Sequence, residues 1–240
     1  LSMNENEAIN QTNDAIKLAI KTKSPVFLIV KKGTFSTVEP LKNNVDLKLS
    51  REEAIIAAAQ TINNNSLVIC TTGMPSRELF EFRALNNQGH FRDFLTVGGM
   101  GHASQIAMGV SITQKKRKVY CFDGDGAALM HMGSLAIIGQ SNSENLTHVI
   151  FNNGVHDSVG GQPTAGFGVD FCEIAKACGY KTTNIATNIE EISSAFSLSE
   201  KNIGPHLIEI HVRPGNRKNL GRPTTSPSDN KIAFMKNTLK

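Results

Sequence analysis

Two runs in this 240-residue chain put oxygen ligands and glycines at the ends of apolar segments. The first is Val119-Tyr120-Cys121-Phe122-Asp123-Gly124-Asp125-Gly126-Ala127-Ala128. A strand-like run ends in alternating Asp and Gly, and a helix-forming run follows. Glycine lets a backbone approach a phosphate closely, and a helix N-terminus offers it free amides. Asp125 adds a carboxylate oxygen at that place, and magnesium commonly bridges one or two protein oxygens to a diphosphate. A calcium loop of the EF-hand type is the rival reading. It fails because Ala127 stands where a third oxygen ligand belongs, and Ser134 where a bidentate Glu is required. The second run is Val149-Ile150-Phe151-Asn152-Asn153-Gly154-Val155. Between Gly126 and Asn152 lie 25 residues, 127 to 151, enough for a helix that returns the chain to a neighbouring parallel strand. Asp125 and Asn153 then face one ion. An Asn-Gly turn closing an ordinary loop is the plainer alternative for the second run alone.

Two further junctions carry unusual residues. Thr96-Val97-Gly98-Gly99-Met100-Gly101-His102-Ala103 fails as a dinucleotide fingerprint, because Ser104 stands where a third Gly is needed and no acidic residue follows about 20 positions on. A glycine-rich turn before a tightly packed helix is its bland explanation. In Cys70-Thr71-Thr72-Gly73-Met74-Pro75-Ser76-Arg77-Glu78-Leu79, Thr72 and Ser76 are candidate hydroxyl donors to a diphosphate, and Ser76 is equally a candidate helix cap.

The Gly-Asp-Gly run followed about 25 residues later by Asn-Asn resembles the signature of thiamine-diphosphate-dependent enzymes. The resemblance implies that Asp125, the Asn153 side chain and the Val155 carbonyl bind Mg²⁺. The region Gly124, Gly126, Ala127 and Ala128 would hold the diphosphate. Met100 would wedge between the two rings of the cofactor, with the Gly98 carbonyl accepting from its 4′-amino group. The run Asn153-Gly154-Val155-His156-Asp157-Ser158-Val159-Gly160-Gly161-Gln162-Pro163-Thr164, with Ser76-Arg77-Glu78-Leu79, is similar to the phosphonopyruvate decarboxylase family, of which the sulfopyruvate decarboxylases are near relatives. The resemblance covers most of Ser50 to Pro214. It implies decarboxylation of 3-phosphonopyruvate, a small 2-keto acid bearing a phosphonate group, to phosphonoacetaldehyde. A phosphonate dianion needs cationic or multiple N–H donors. His156, Ser158, the amides of Gly160 and Gly161, and Arg77 are the candidates, with His156 and Ser158 as candidate catalytic residues. A noncatalytic cofactor-binding partner subunit and a nucleotide-binding regulatory module remain as readings from other classes.

The elements that must position these residues follow from the pattern. Ser50-Arg51-Glu52-Glu53 is a capping box opening a helix to about Asn63. Strands are expected at Leu67–Thr71, Phe94–Val97, Lys118–Asp123, Thr147–Asn152, Lys181–Ile185 and His206–Val212. Helices are expected over Ser76–Asn87, Ala103–Ile112, Ala127–Ser141, Asp170–Cys178 and Ile189–Leu198. This alternation predicts an α/β fold with a doubly wound parallel sheet, whose ligands bind beyond the carboxyl ends of the strands.

Composition excludes several classes. The chain is 40% hydrophobic and 19% charged with net charge +4, an ordinary globular balance that speaks against a nucleic-acid binder. Lys115-Lys116-Arg117-Lys118 reads as a solvated turn. Cys70, Cys121, Cys172 and Cys178 show no CxxC spacing, and Cys70 and Cys121, in apolar strand-like runs, read as buried free thiols of a reducing compartment, so the expected location is cytoplasmic. No apolar run approaches the ~20 residues of a membrane helix, and Leu1 to Asn10 is no signal peptide.

Ahead of Ser50, a helical pattern from Asn4 to Lys21 and an apolar run, Pro25 to Val30, predict one helix and one buried strand. By the resemblance, residues 1–35 are the last piece of a pyrimidine-binding domain, 36–49 a linker, 50–214 the diphosphate domain and 215–240 a tail, Pro/Asn/Ser-rich up to Asn230 and of short helical look beyond it. Relatives draw an activating glutamate from the pyrimidine-binding domain of a neighbouring subunit. Glu5, Glu7 and Glu39 lie in polar stretches that do not match its context. The expectation is a partial subunit, incomplete alone, in a homodimer or homotetramer.

Overall fold

The structure, a computed structural model, describes residues 1–36 and 47–239. The chain divides into two compact units that part within residues 37–46. Most of the expected 36–49 linker, and Glu39, lie outside the described residues.

In the first unit, helix α1 (Glu5–Thr22) is capped by the Asn4 side chain, which accepts from the Glu7 amide. The strand expected at residues 25–30 does not form, and all six residues are exposed, Phe27 at 83%. A strand needs a partner ladder for its backbone groups, and the described part of this unit holds no second strand.

The second unit follows the expected alternation. Helix α2 (Arg51–Thr61) opens on the complete capping box of Ser50 and Glu53. It is followed by β1 (Leu67–Cys70), α3 (Met74–Leu85), β2 (Asp93–Leu95), α4 (Ala103–Thr113), β3 (Val119–Gly124), α5 (Asp125–Met130), α6 (Gly133–Gly139) and β4 (Leu146–Asn152). A small antiparallel hairpin comes next, β5 (Val155–His156) with β6 (Gln162–Pro163). The chain then forms α7 (Phe171–Cys178), β7 (Thr182–Ala186), α8 (Ile189–Lys201), β8 (His206–His211) and α9 (Pro227–Thr238). Six strands make one parallel sheet in the order β2-β1-β3-β4-β8-β7. Every residue of β1 and β4 is buried, as expected of strands covered on both faces. One apolar core lies between the sheet and α2, α3 and α8, and the second between the sheet and α4, α6 and α7.

From β1 the chain moves to β2 on one side and returns to β3 on the other. That reversal opens a crevice at the carboxyl ends of β1 and β3. The strand order therefore assigns the site to the exits of β1, β3 and β4, where the unusual residues stand.

Three expectations about elements need correction. The single helix over 127–141 is two: α5 begins at Asp125, and His131 breaks the run with φ −133° and ψ 46°. Its carbonyl accepts the Ser134 amide, and the apolar spacing that reads through this break does not sense the turn. The expected tail is part of the fold. Asn230 on α9 accepts from the Leu95 amide at 3.0 Å and donates to the Asp93 carbonyl at 2.9 Å, closing the outer edge of β2. The basic run at 115–118 is only partly a solvated turn, because Arg117 donates to the Asn65 carbonyl and Lys118 to the Ser199 carbonyl. All four cysteines are free thiols. Beneath β2, Arg83 on α3 donates to both oxygens of Asp93, at 2.9 and 3.2 Å, with neither side chain exposed to solvent. Burial pushes the Asp93 carboxyl up, and the Arg83 charge opposes it.

Candidate active site

A cleft of about 350 Å³ opens at the carboxyl ends of β1, β3 and β4, bordered by Thr71, Met100, Gly124, Asp125, Asn153 and His156 among others. The ladder sets Gly124 level with Phe151, so the exits of β3 and β4 reach the same depth. Asp125 (2% exposed) comes one residue after Gly124 and Asn153 (3% exposed) two after Phe151, and the Asn153 amide reaches the Asp125 carboxylate. Burial pushes the Asp125 carboxyl above its ordinary value. Hydrogen bonds from the Thr164 hydroxyl and from the Asn153 and Gly126 amides oppose that shift. The two aspartates of the run part company. Asp123 turns into the core, where its carboxylate meets His148 Nε2 at 3.3 Å, and His148 in turn meets the Tyr180 hydroxyl at 3.5 Å. The two asparagines part likewise. Asn152 donates to buried Glu209 at 2.8 Å and holds the Gly154 amide, which leaves Asn153 alone facing the cleft.

Asn153 is held at both ends of its carboxamide. Its Nδ2 donates to Asp157 at 2.7 Å, and its Oδ1 accepts from the Val155 amide at 3.1 Å. Asp157 also accepts from Arg51 at 2.7 Å and from the Gly215 amide. Arg51 in turn grips both oxygens of Glu78 at 2.9 and 3.0 Å, with Arg51 4% and Glu78 2% exposed. One buried guanidinium thus ties α2, α3 and the loop after β4 into a frame around Asn153. Sequence reasoning missed Arg51, Glu78, Asp157 and Thr164 as site residues. Asp157 and Thr164 stand in the run that carries the resemblance and had a signal there. The meeting of Arg51 with Glu78, 27 residues apart, has none in the sequence.

The Met100 turn has three glycines with positive φ: Gly98 at 70°, Gly99 at 56° and Gly101 at 87°. At Gly101 a Cβ would stand 2.9 Å from the Ala127 carbonyl, so this position carries α4 against α5 at a distance only glycine allows. The turn is tied to β1 by the Gly98 amide, which donates to Thr72 Oγ1 at 3.2 Å. Gly126, His156 and Met100 meet: a Cβ on Gly126 would lie 2.5 Å from the His156 ring and 3.4 Å from the Met100 methyl. Ser158 packs its hydroxyl against Gly73. Ala127 borders the cleft, whereas the Ala128 side chain belongs to the core. Ser76 meets neither expectation. Its buried hydroxyl donates to the Thr71 carbonyl at 2.6 Å, and Gly73 holds the N-cap position of α3 without a side-chain bond.

This donor set fits a divalent cation carrying a diphosphate. A buried carboxylate and a carboxamide oxygen are hard ligands on fixed supports. The Thr71 hydroxyl is buried at the cleft wall with no hydrogen-bond partner, which leaves it free for a phosphate oxygen. At Gly126 the backbone passes the His156 ring at a distance only glycine allows, a Cβ there standing 2.5 Å from the ring.

Residues 71–210 match the family described as thiamine pyrophosphate enzyme, C-terminal TPP binding domain. A phosphonopyruvate decarboxylase from Streptomyces viridochromogenes is 39% identical over 165 residues, 69% of this chain and 40% of that protein. The chain thus spans about two fifths of that relative. A sulfopyruvate decarboxylase subunit beta from Methanococcus maripaludis is 32% identical over 194 residues, 81% of this chain and 100% of that protein. The solved structure of a Rhodococcus jostii thiamine diphosphate-dependent 4-hydroxybenzoylformate decarboxylase superposes with TM-score 0.57 over 76% of this chain and 36% of its own, at 16% identity, which shows the shared fold.

Proposed function

Because the chain belongs to the thiamine pyrophosphate enzyme family, through its C-terminal TPP binding domain, we propose that it forms the diphosphate- and Mg²⁺-binding half of a 2-oxo acid decarboxylase. The substrate on this reading is 3-phosphonopyruvate: the bond between C1 and C2 breaks, CO₂ leaves, and C2 takes up a proton to give phosphonoacetaldehyde. Thiamine diphosphate, when bound, supplies the electron sink for that loss of CO₂. Asp125, Asn153 and the Val155 carbonyl hold the metal. Gly124, the amides of Gly126, Ala127 and Ala128, and the hydroxyl of Thr71 receive the diphosphate. Met100 and the Gly98 carbonyl orient the rings. On this reading His156, which lies against Gly126 and Met100, holds or delivers a proton at the reacting carbon, with Ser158 lining the same cleft. The observation that carries this reading is the pairing of buried Asp125 with buried, immobilised Asn153 at adjacent strand ends.

Residues 50–214 form the diphosphate domain on this reading, and a pyrimidine-binding domain of a neighbouring polypeptide contributes the activating glutamate. Support for a partner comes from the sulfopyruvate decarboxylase relative, a beta subunit that this chain matches over its whole length. The same relative favours sulfopyruvate as the second candidate substrate. Calorimetry with thiamine diphosphate and with ADP, each with and without Mg²⁺, tests the cofactor. Mg²⁺-dependent binding of thiamine diphosphate that is lost in Asp125→Ala is the expected result. Binding unchanged in that variant, or a preference for ADP, overturns the reading.

A further inference from the structure

A second cavity, of about 260 Å³, adjoins the cofactor cleft, and Thr72 and Gly73 line both. We propose that it is an oxyanion subsite, formed by Arg77 and Arg222, that takes the tetrahedral phosphonate or sulfonate group of the substrate. The inference rests on the decarboxylase reading and deepens it.

The cleft and this cavity together are lined by three arginines, Arg51, Arg77 and Arg222. Arg51 is spent: two carboxylates, Glu78 and Asp157, hold its guanidinium in a buried network. Its surroundings are net negative, and Asp125 stands in the same cleft. Arg77 and Arg222 have no hydrogen-bonding or ionic partner among the described residues, and no carboxylate lines their cavity. Arg77 is half-buried and Arg222 exposed, so both heads remain hydrated, and both line the one cavity. Thr72 Oγ1 accepts from Gly98, which leaves its proton free to donate towards the ligand. Paired guanidiniums with a hydroxyl match a tetrahedral oxyanion, which accepts several N–H bonds at once.

Position agrees with charge. In a 3-phosphono- or 3-sulfo-2-oxo acid, one methylene separates the reacting carbon from the anion. The anion subsite must therefore border the cofactor cleft without being part of its metal site. The cavity meets that condition across Thr72 and Gly73. Arg77 is delivered by the first turn of α3, and Arg222 by the segment leading into α9.

The test is a ³¹P NMR titration of methylphosphonate into the full chain with Mg²⁺ and thiamine diphosphate, comparing the parent with Arg77→Gln and Arg222→Gln. Each variant is expected to weaken methylphosphonate binding about tenfold or more, the size of a lost charged hydrogen bond at about 1.4 kcal/mol. Arg77→Lys should retain part of the affinity, and acetate should bind the parent more weakly than methylphosphonate. Unchanged methylphosphonate affinity in both Gln variants, with native circular dichroism, overturns the proposal. So does equal loss of thiamine diphosphate affinity in both, which would make the arginines part of the cofactor site. Inorganic phosphate that binds while methylphosphonate does not would mark a phosphate effector site and also overturn it. Failure of the cofactor reading is separately visible, as absence of thiamine diphosphate binding in the parent.

Discussion

The Asp157 carboxylate accepts the side-chain amide of Asn153 at 2.7 Å. That bond fixes which end of the carboxamide is nitrogen, and so turns the oxygen of Asn153 away from Asp157. Groups that orient a metal ligand typically change metal affinity about 10- to 100-fold when removed. Asp157→Ala is therefore expected to weaken Mg²⁺-dependent binding of thiamine diphosphate by about that factor, with little change in circular dichroism. Calorimetry at several Mg²⁺ concentrations measures it. Parent-like affinity would show that Asn153 needs no such support.

Gly101 should tolerate no side chain. Its φ is 87°, and a Cβ would meet the Ala127 carbonyl at 2.9 Å. Left-handed backbone alone costs a non-glycine residue about 1–2 kcal/mol. Gly101→Ala should lower stability to urea by at least that amount and displace Met100. Gly109 lies in α4 with nothing within 4 Å of its would-be Cβ, so Gly109→Ala is the matched control and should not destabilise.

The Arg83–Asp93 pair lies under the edge strand that leads to the Met100 turn. Removing one member of a buried ion pair leaves an uncompensated charge and costs about 3–5 kcal/mol. Arg83→Ala should show a loss of that order in chemical denaturation. The double replacement Arg83→Met with Asp93→Leu should recover much of it, because two apolar groups leave no charge behind. If the single and double variants are equally unstable, packing and not charge governs the site.

His206 gives a pH dependence with a definite sign. Burial holds its imidazole below its ordinary value of 6.5, against the hydrogen bond to the Asn202 carbonyl, while the nearby Lys118 charge adds to the lowering. The ring also meets the Thr182 hydroxyl at 2.7 Å. A depressed value means that the unfolded chain takes up a proton more readily than the folded one. The stability from neutral His206 is complete above pH 6.5 and is lost as pH falls from 6.5 through the folded value. Denaturation midpoints measured from pH 8 downwards should show this loss, and His206→Gln should flatten part of it.

Much of the fold is legible in the residues, because strands buried on both faces read as continuous apolar runs and caps such as Ser50 with Glu53 declare themselves. The spacing of Gly-Asp-Gly and Asn-Asn likewise marks two strand exits that the ladder sets level. What escapes is decided by tertiary contact. Nothing local separates Asp123, which turns to His148, from Asp125, which turns to the cleft. The apolar run 25–30 has strand composition but no ladder among the described residues of its unit, and composition cannot supply one. Ser76 looks like a donor because its residue type fits, yet the Thr71 carbonyl holds its proton.

The two carboxamide bonds of Asn230 have a consequence beyond local order. An edge strand with bare amides and carbonyls is a template on which another chain can polymerise. By occupying Leu95 and Asp93, one side chain ends the sheet at six strands on that side. Asn230→Leu would keep the bulk of α9 and reopen the row. The penalty would then fall on colloidal behaviour, in growth of multimers with concentration and time, rather than on the melting of a single molecule.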